Sequence, residues 1–168
     1  AYKYFGIIPM VMGIIMTPFW SAFTEAWVKQ DFAWIKNTMR KLQMLWAGLS
    51  LLAIVMLLLS GFVYKWWVGK DIAIQVSISV AMASYVIINA WNGIYSQFLN
   101  GVGKIKLQLY TALAGTLVNI PLAIYLGKTL GIYGVVLSTT IISIMGAILS
   151  PMQYNKIIHN NARGIWAQ

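Results

Sequence analysis

The sequence predicts an all-α protein, a polytopic bundle of five transmembrane helices. Three observations predict this fold class: long apolar runs, charge that lies almost entirely between the runs, and a composition of 60% hydrophobic against 9% charged residues. Soluble domains carry about 25% charged residues. Roughly 20 apolar residues in a helix cross a hydrocarbon core about 30 Å thick. The runs long enough to do so are residues 5–28, 42–63, 74–99, 105–126 and 131–153.

The first predicted span carries Pro18 in its interior. Proline has no backbone N–H and clashes with the preceding helical turn, so it should kink or loosen the helix at this point. Thr17 and Ser21 are close enough in sequence to bond the backbone carbonyls that the kink frees. Pro18 is therefore a candidate hinge.

Residues 29–41 are too polar to cross a membrane. Three of their apolar residues, Phe32, Ile35 and Met39, recur at helical spacing, and the basic residues fall mainly elsewhere on the helix wheel. We expect a short amphipathic helix that lies in the headgroup zone. The second span follows it, and its uncharged stretch 49–60 is expected to face lipid over much of its surface.

The third predicted span is the most polar of the five. Buried polar groups in hydrocarbon need partners, so this helix is expected to face protein or water. Asn89 and Asn92 lie three positions apart and share one helical face. They are candidates to bond sugar hydroxyls in a central cavity, and bonding to a neighbouring helix is the alternative. The polar residues of this span are Ser77, Ser79, Ser84, Asn89, Asn92, Ser96 and Gln97.

Short glycine-containing turns at residues 100–106 and 127–131 join the last three spans, which should therefore be adjacent and antiparallel. Asn119 and Pro121 indicate a local break in the fourth span, and a cavity position for Asn119 is the alternative. The fifth span is expected to end near Pro151. The whole chain, 1–168, reads as a single transmembrane domain.

The distribution of charge explains the formal net charge of +9 without a nucleic-acid partner. Loops on the side of residues 29–41 carry eight basic residues and the opposite side carries four. This excess marks the cytoplasmic side by the positive-inside rule, so the C-terminus is expected in the cytoplasm. The eight are Lys29, Lys36, Arg40, Lys41, Lys104, Lys106, Lys156 and Arg163, and the four are Lys3, Lys65, Lys70 and Lys128.

The sequence offers no basis for chemistry of its own. It has no cysteine, and its one histidine, His159, lies in the polar tail. It contains no GxxxxGK[ST] phosphate-binding motif and no Ser/His/Asp or metal-ligand arrangement. We therefore expect neither an enzyme nor a cofactor or metal site.

Three motifs in the same order resemble polysaccharide and O-antigen flippases, a family of the multidrug/oligosaccharidyl-lipid/polysaccharide exporter superfamily. They are residues 18–27 (PFWSAFTEAW), residues 100–106 (NGVGKIK) and residues 131–136 (GIYGVV). The resemblance covers essentially the whole chain, as the last five of about a dozen helices. It implies most of the second lobe of a two-lobe exporter, whose N-terminal lobe would precede this chain. A processed or truncated chain is the alternative, since no initiator Met is present.

Two groups of charged residues are further candidate sites. Glu25 is the one acid embedded in a predicted span, and it is a candidate to bind a coupling cation or a polar part of the substrate. Pairing with Lys29 one turn later is the alternative. The basic residues Lys29, Lys36, Arg40 and Lys41 are candidates to recruit a lipid pyrophosphate, and attraction to anionic lipid is the alternative.

The resemblance implies a bacterial cytoplasmic-membrane transporter for polysaccharide biosynthesis, including that of lipopolysaccharide. Such a protein flips undecaprenyl-diphosphate-linked oligosaccharide across the membrane by alternating access. A multidrug or small-solute cation antiporter of the same superfamily is one alternative. A non-transporting membrane scaffold is another. The lipid bilayer is the partner common to all three.

Overall fold

The computed structural model describes residues 1–67 and 75–168, and these contain no β-strand. Five helical segments are long and apolar enough to cross a membrane, which confirms the predicted all-α bundle. The first of them, Tyr2–Val28, is made of three short helices. The helices are α1 (Tyr2–Phe5), α2 (Ile7–Met16), α3 (Phe19–Val28), α4 (Phe32–Trp67), α5 (Val76–Gly101), α6 (Lys106–Leu130) and α7 (Ile132–Ile158), and a 3-10 turn follows at Gly164–Ala167.

The first span is interrupted where the sequence predicts a kink. α2 ends at Met16 and α3 begins at Phe19, on either side of Thr17 and Pro18. The Thr17 hydroxyl donates to the carbonyl of Gly13 at 2.7 Å, and the Ser21 hydroxyl donates to that of Pro18 at 3.1 Å. Both side chains therefore bond backbone carbonyls beside the interruption, as expected for a proline in an apolar segment.

The expected separate amphipathic helix is instead the beginning of α4, which runs unbroken for 36 residues. No proline or glycine lies between residues 32 and 47 to end a helix there. The apolar stripe also has a protein partner, because Ile35, Met39 and Leu42 are buried in the protein core. At 1.5 Å per residue α4 is about 54 Å long, well above the roughly 30 Å of a hydrocarbon core.

The fourth and fifth spans extend further than the sequence indicates. α6 passes through Pro121 without the expected break, and α7 passes through Pro151 to end at Ile158. The last turns of α7 are held by packing, since Gln153, Tyr154 and Ile157 are buried. Tertiary contacts thus continue a helix beyond a residue that would end it in isolation.

Two hydrophobic clusters lie along the bundle, and α5 contributes to both. One cluster surrounds Phe23, Ile35 and Phe98, near the end where α3 meets α4. The other surrounds Phe5 and Met82 near the opposite end. α5 packs against α1, α2, α3, α4 and α7, whereas α6 packs mainly against α7. α5 is therefore the central helix of the described part of the chain.

Three segments that carry or adjoin basic residues meet at one end of the bundle. They are the end of α3, the turn between α5 and α6, and the C-terminal segment. The Thr24 hydroxyl of α3 donates to the carbonyl of Gly101 at 2.8 Å, next to the turn between α5 and α6. In that turn, the Lys104 ammonium donates to the carbonyl of Ala167 at 2.6 Å. At the other end, the Tyr4 hydroxyl donates to the carbonyl of Met56 at 3.0 Å. Lys70, assigned to that opposite side, lies outside the described residues.

Candidate functional site

The polar face of α5 borders two cavities. The smaller cavity lies between α2 and α5 and has a volume of about 270 Å³. The larger is a groove between α5, α6 and α7 with a volume of about 440 Å³.

The smaller cavity lies between α2, in the first span with the candidate hinge Pro18, and α5, the third span with the polar face. Asn89 and Asn92 both line it, as their shared helical face predicts. Gln97 also lines it, and the Gln97 Oε1 atom is buried without a hydrogen-bond partner in the described part of the chain. The remaining lining residues are Pro9, Met12, Gly13, Met16, Ala90, Gly93 and Ser96.

The larger cavity is a groove between α5, α6 and α7, and Asn119 lines it together with Asn92. Asn119 therefore occupies the cavity position that the sequence left as an alternative. Every polar side chain in the lining is uncharged. The polar lining residues are Asn92, Ser96, Gln108, Thr111, Thr116, Asn119, Thr139, Ser143 and Ser150.

Six polar residues of this groove were not expected from the sequence: Gln108, Thr111, Thr116, Thr139, Ser143 and Ser150. The spacing of polar and small residues along the last two spans could have indicated a polar face on each. Polar or small residues recur every three or four positions along α6 and along α7, which places them on one face of each helix. The sequence cannot show that these two faces meet each other and α5, because that depends on how the helices pack.

Asn92 makes the bond to a neighbouring helix that the sequence left as the alternative, and it also lines both cavities. The Asn92 Nδ2 atom donates to the carbonyl of Ser143 on α7 at 2.9 Å, so the residue does bond a neighbouring helix. The Asn92 Oδ1 atom is buried and has no partner among the described residues. Asn89, in contrast, is exposed on the same helix.

Three unpartnered amide atoms belong to residues that line the groove. They are Asn92 Oδ1, Gln108 Nε2 and Asn119 Oδ1, and all three atoms are buried. A buried polar atom without a partner costs about 1–3 kcal/mol. Three such atoms at one groove leave hydrogen-bonding capacity that the described residues do not fill.

Glu25 lines neither of these cavities. It instead forms an ion pair with Lys29, which the sequence left as the alternative to a cation or substrate site. The Glu25 carboxylate accepts a hydrogen bond from the Lys29 ammonium at 2.6 Å, and both side chains are about two-thirds exposed, at 66% and 67%. This hydrogen bond, followed by the opposite charge of Glu25, raises the pKa of Lys29 above its ordinary value. The pair lies at the end of α3.

The other basic candidates are on the surface of α4. Lys36, Arg40 and Lys41 are exposed, and none of them lines either cavity. Lys36 and Arg40 are one helical turn apart and share a face. The structure therefore separates the basic candidates from the amide candidates.

Two of the three motifs that resemble the flippase family touch each other. A Cβ atom at Gly101 would lie 2.8 Å from Phe23 Cβ and 2.9 Å from the carbonyl oxygen of Trp20. The first motif therefore packs directly on the second. In the third motif, a Cβ atom at Gly134 would collide with the backbone of Leu126, so α6 and α7 approach closely there.

Comparisons with known proteins assign no family to the chain. No family model, no curated protein and no solved structure matches it. Within residues 1–67 and 75–168, no group of three or more His, Cys, Asp or Glu residues is placed to hold a metal ion. The family resemblance therefore stays a prediction from the motifs.

Proposed function

We propose that the protein is a transporter that flips lipid-linked oligosaccharide across the bacterial cytoplasmic membrane by alternating access. In this proposal the lipid carrier is undecaprenyl diphosphate, the C-terminus is cytoplasmic, and an N-terminal lobe of the same protein encloses the substrate together with this chain. The exposed residues Lys36, Arg40 and Lys41 would attract the pyrophosphate or anionic lipid.

One observation carries the proposal: uncharged amide and hydroxyl side chains border two cavities within an otherwise apolar bundle. Polar residues in membrane-spanning segments are costly and commonly mark a substrate path. The smaller cavity also adjoins α2, which ends at the interruption before Pro18. An interrupted helix beside a polar cavity suits a protein that must adopt two packings.

The two alternatives make different demands on the same cavities. A cation antiporter needs acidic groups that bind the coupling ion, and neither the α2–α5 cavity nor the groove is lined by an acid. A scaffold needs no polar cavity, since tight packing alone would serve it. The cavities therefore favour the flippase over both.

The test is transbilayer movement of a fluorescent lipid-linked oligosaccharide in vesicles that contain the intact protein. We expect Asn89→Leu to reduce flipping strongly, because Asn89 is exposed and lines the α2–α5 cavity. Asn155→Leu is the matched control, since Asn155 is exposed on α7 and lines neither cavity. Normal flipping by a stable Asn89→Leu variant would contradict the proposed role of this cavity.

A further inference from the structure

We propose that the groove between α5, α6 and α7 binds the neutral, hydroxyl-rich glycan portion of the substrate and excludes its pyrophosphate. This inference rests on the proposed function and adds the chemical class that this groove accepts. The argument depends on which hydrogen-bond donors and acceptors the groove leaves free.

Four of the six hydroxyl groups in the groove, those of Thr111, Thr116, Thr139 and Ser143, donate to backbone carbonyls of their own helix. The Thr111 hydroxyl donates to the carbonyl of Gln108 at 2.9 Å, and the Thr116 hydroxyl donates to that of Ala112 at 2.8 Å. The Ser143 hydroxyl donates to the carbonyl of Thr139 at 2.8 Å. A hydroxyl has one donor and two acceptor lone pairs, so these side chains offer a ligand mainly acceptors.

The unpartnered amide atoms add two acceptors and one donor. Asn92 and Asn119 each leave an Oδ1 atom free, and Gln108 leaves Nε2 free. The bond from Asn92 Nδ2 to the carbonyl of Ser143 fixes the orientation of the Asn92 amide. If the Asn119 or Gln108 amide were turned by 180°, it would present the other atom of the same donor and acceptor pair.

This pattern selects hydroxyl groups over charged groups. A sugar hydroxyl donates to the free oxygens and also accepts from Gln108. A pyrophosphate anion only accepts hydrogen bonds, and no cation among the described residues lines the groove to balance its charge. An ammonium group would be buried without a countercharge, which is unfavourable in a medium of low dielectric constant. The volume of about 440 Å³ lies within the range of ligand pockets.

A small displacement of α6 would bring the ligand to these atoms. The three amide atoms are buried, so the groove is narrow at their positions. α6 packs mainly against α7 and has large apolar side chains exposed on its other faces, such as Leu113 and Leu117. The second packing that alternating access requires would supply this displacement of α6.

The test compares two amphiphiles with the same alkyl chain, decyl maltoside and decyl phosphate, added to the intact protein in lipid nanodiscs. The apparent Kd of each is obtained from the shift of the thermal unfolding midpoint. We expect decyl maltoside to bind more tightly than decyl phosphate. Asn119→Leu and Gln108→Leu should each weaken maltoside binding roughly fivefold, the effect of losing one hydrogen bond. Asn155→Leu should leave it unchanged.

Equal or tighter binding of decyl phosphate would overturn the inference, and so would wild-type maltoside binding in both groove variants. The two amphiphiles are compared on the unmodified protein, so that result does not depend on any variant. If Asn119→Leu fails to fold, Gln108→Leu alone tests the groove. The flipping assay is read separately. Flipping without a preference for maltoside would refute only this inference, whereas a preference for maltoside without flipping would refute the proposed function.

Discussion

Asn89 and Asn92 lie three residues apart on α5, yet their surroundings differ. Asn89 is exposed at the smaller cavity, whereas Asn92 lies between α5 and α7 and bonds the carbonyl of Ser143. Asn89 thus borders one cavity without bonding another helix of the described part of the chain, whereas Asn92 borders both cavities and also bonds α7. Which role applies is decided by the neighbouring helix.

Replacement of these two residues should separate the roles. We expect Asn92→Leu to lower the free energy of unfolding by about 0.6 kcal/mol, the typical contribution of an interhelical hydrogen bond in a membrane protein. Asn89→Leu should leave stability unchanged. Thermal unfolding of the purified variants measures both effects. An equal loss of stability in the two variants would show that the hydrogen bond to Ser143 does not distinguish them.

Gly101 has a similarly specific environment, since it packs directly against the backbone of α3. Gly101→Ala would place a methyl group 2.8 Å from Phe23 Cβ and 2.9 Å from the Trp20 carbonyl oxygen. We expect a loss of about 1–3 kcal/mol in unfolding free energy, as for other overpacked sites. Gly61→Ala on α4 is the control, because its added Cβ meets no atom within 4 Å. A Gly101→Ala variant as stable as the control would contradict the close approach.

At the scale of single residues, the sequence predicted what depends on near neighbours along the chain. The Glu25–Lys29 pair follows from their spacing within one helix. The shared face of Asn89 and Asn92 follows from the same geometry. Gln108 and Ser143 could not be assigned, because their place in the groove depends on contacts between helices.

At the scale of the helices, hydropathy predicted their number and order but not their ends. α4 absorbs the segment expected to form a separate helix, and α7 continues through Pro151 to Ile158. Both extensions follow from packing, since Ile35 and Ile157 belong to the same buried cluster. Proline interrupts the first span but not α6, so its local effect also depends on the surroundings.

Replacing Pro18 should therefore change transport more than expression. Pro18→Ala restores the backbone N–H and removes the ring clash, so we expect α2 and α3 to join into a straighter helix. A straighter first span would favour one of the two packings and slow flipping. Pro121→Ala is the matched control, because α6 is already continuous at that proline. Flipping in vesicles and membrane expression are measured together. An unchanged flipping rate would show that the interruption is dispensable.

At the scale of the whole molecule, charge is segregated along the bundle. The turn at Lys104 and the C-terminal segment meet at one end, where the Lys156 ammonium also lies 3.7 Å from the centre of the Trp166 ring. α3 reaches the same end through the bond between Thr24 and Gly101. Three basic regions that are distant in sequence are therefore neighbours in the fold. Their basic residues lie at the same end of the bundle, which is the end that the positive-inside rule predicts to be cytoplasmic.

Single cysteines test the resulting topology directly, because the chain contains no cysteine of its own. Asn37→Cys and Lys106→Cys lie at exposed positions toward the basic end, and Lys128→Cys lies at an exposed position at the far end of α6. We expect a membrane-impermeant maleimide to label the first two only from the cytoplasmic side and the third only from outside. α6 is 25 residues long, about 38 Å, so its two ends cannot both lie on one side if it crosses the bilayer. Labelling of Lys106→Cys and Lys128→Cys from the same side would therefore refute the five-span arrangement, and labelling of all three from the reverse sides would keep the spans but invert the orientation.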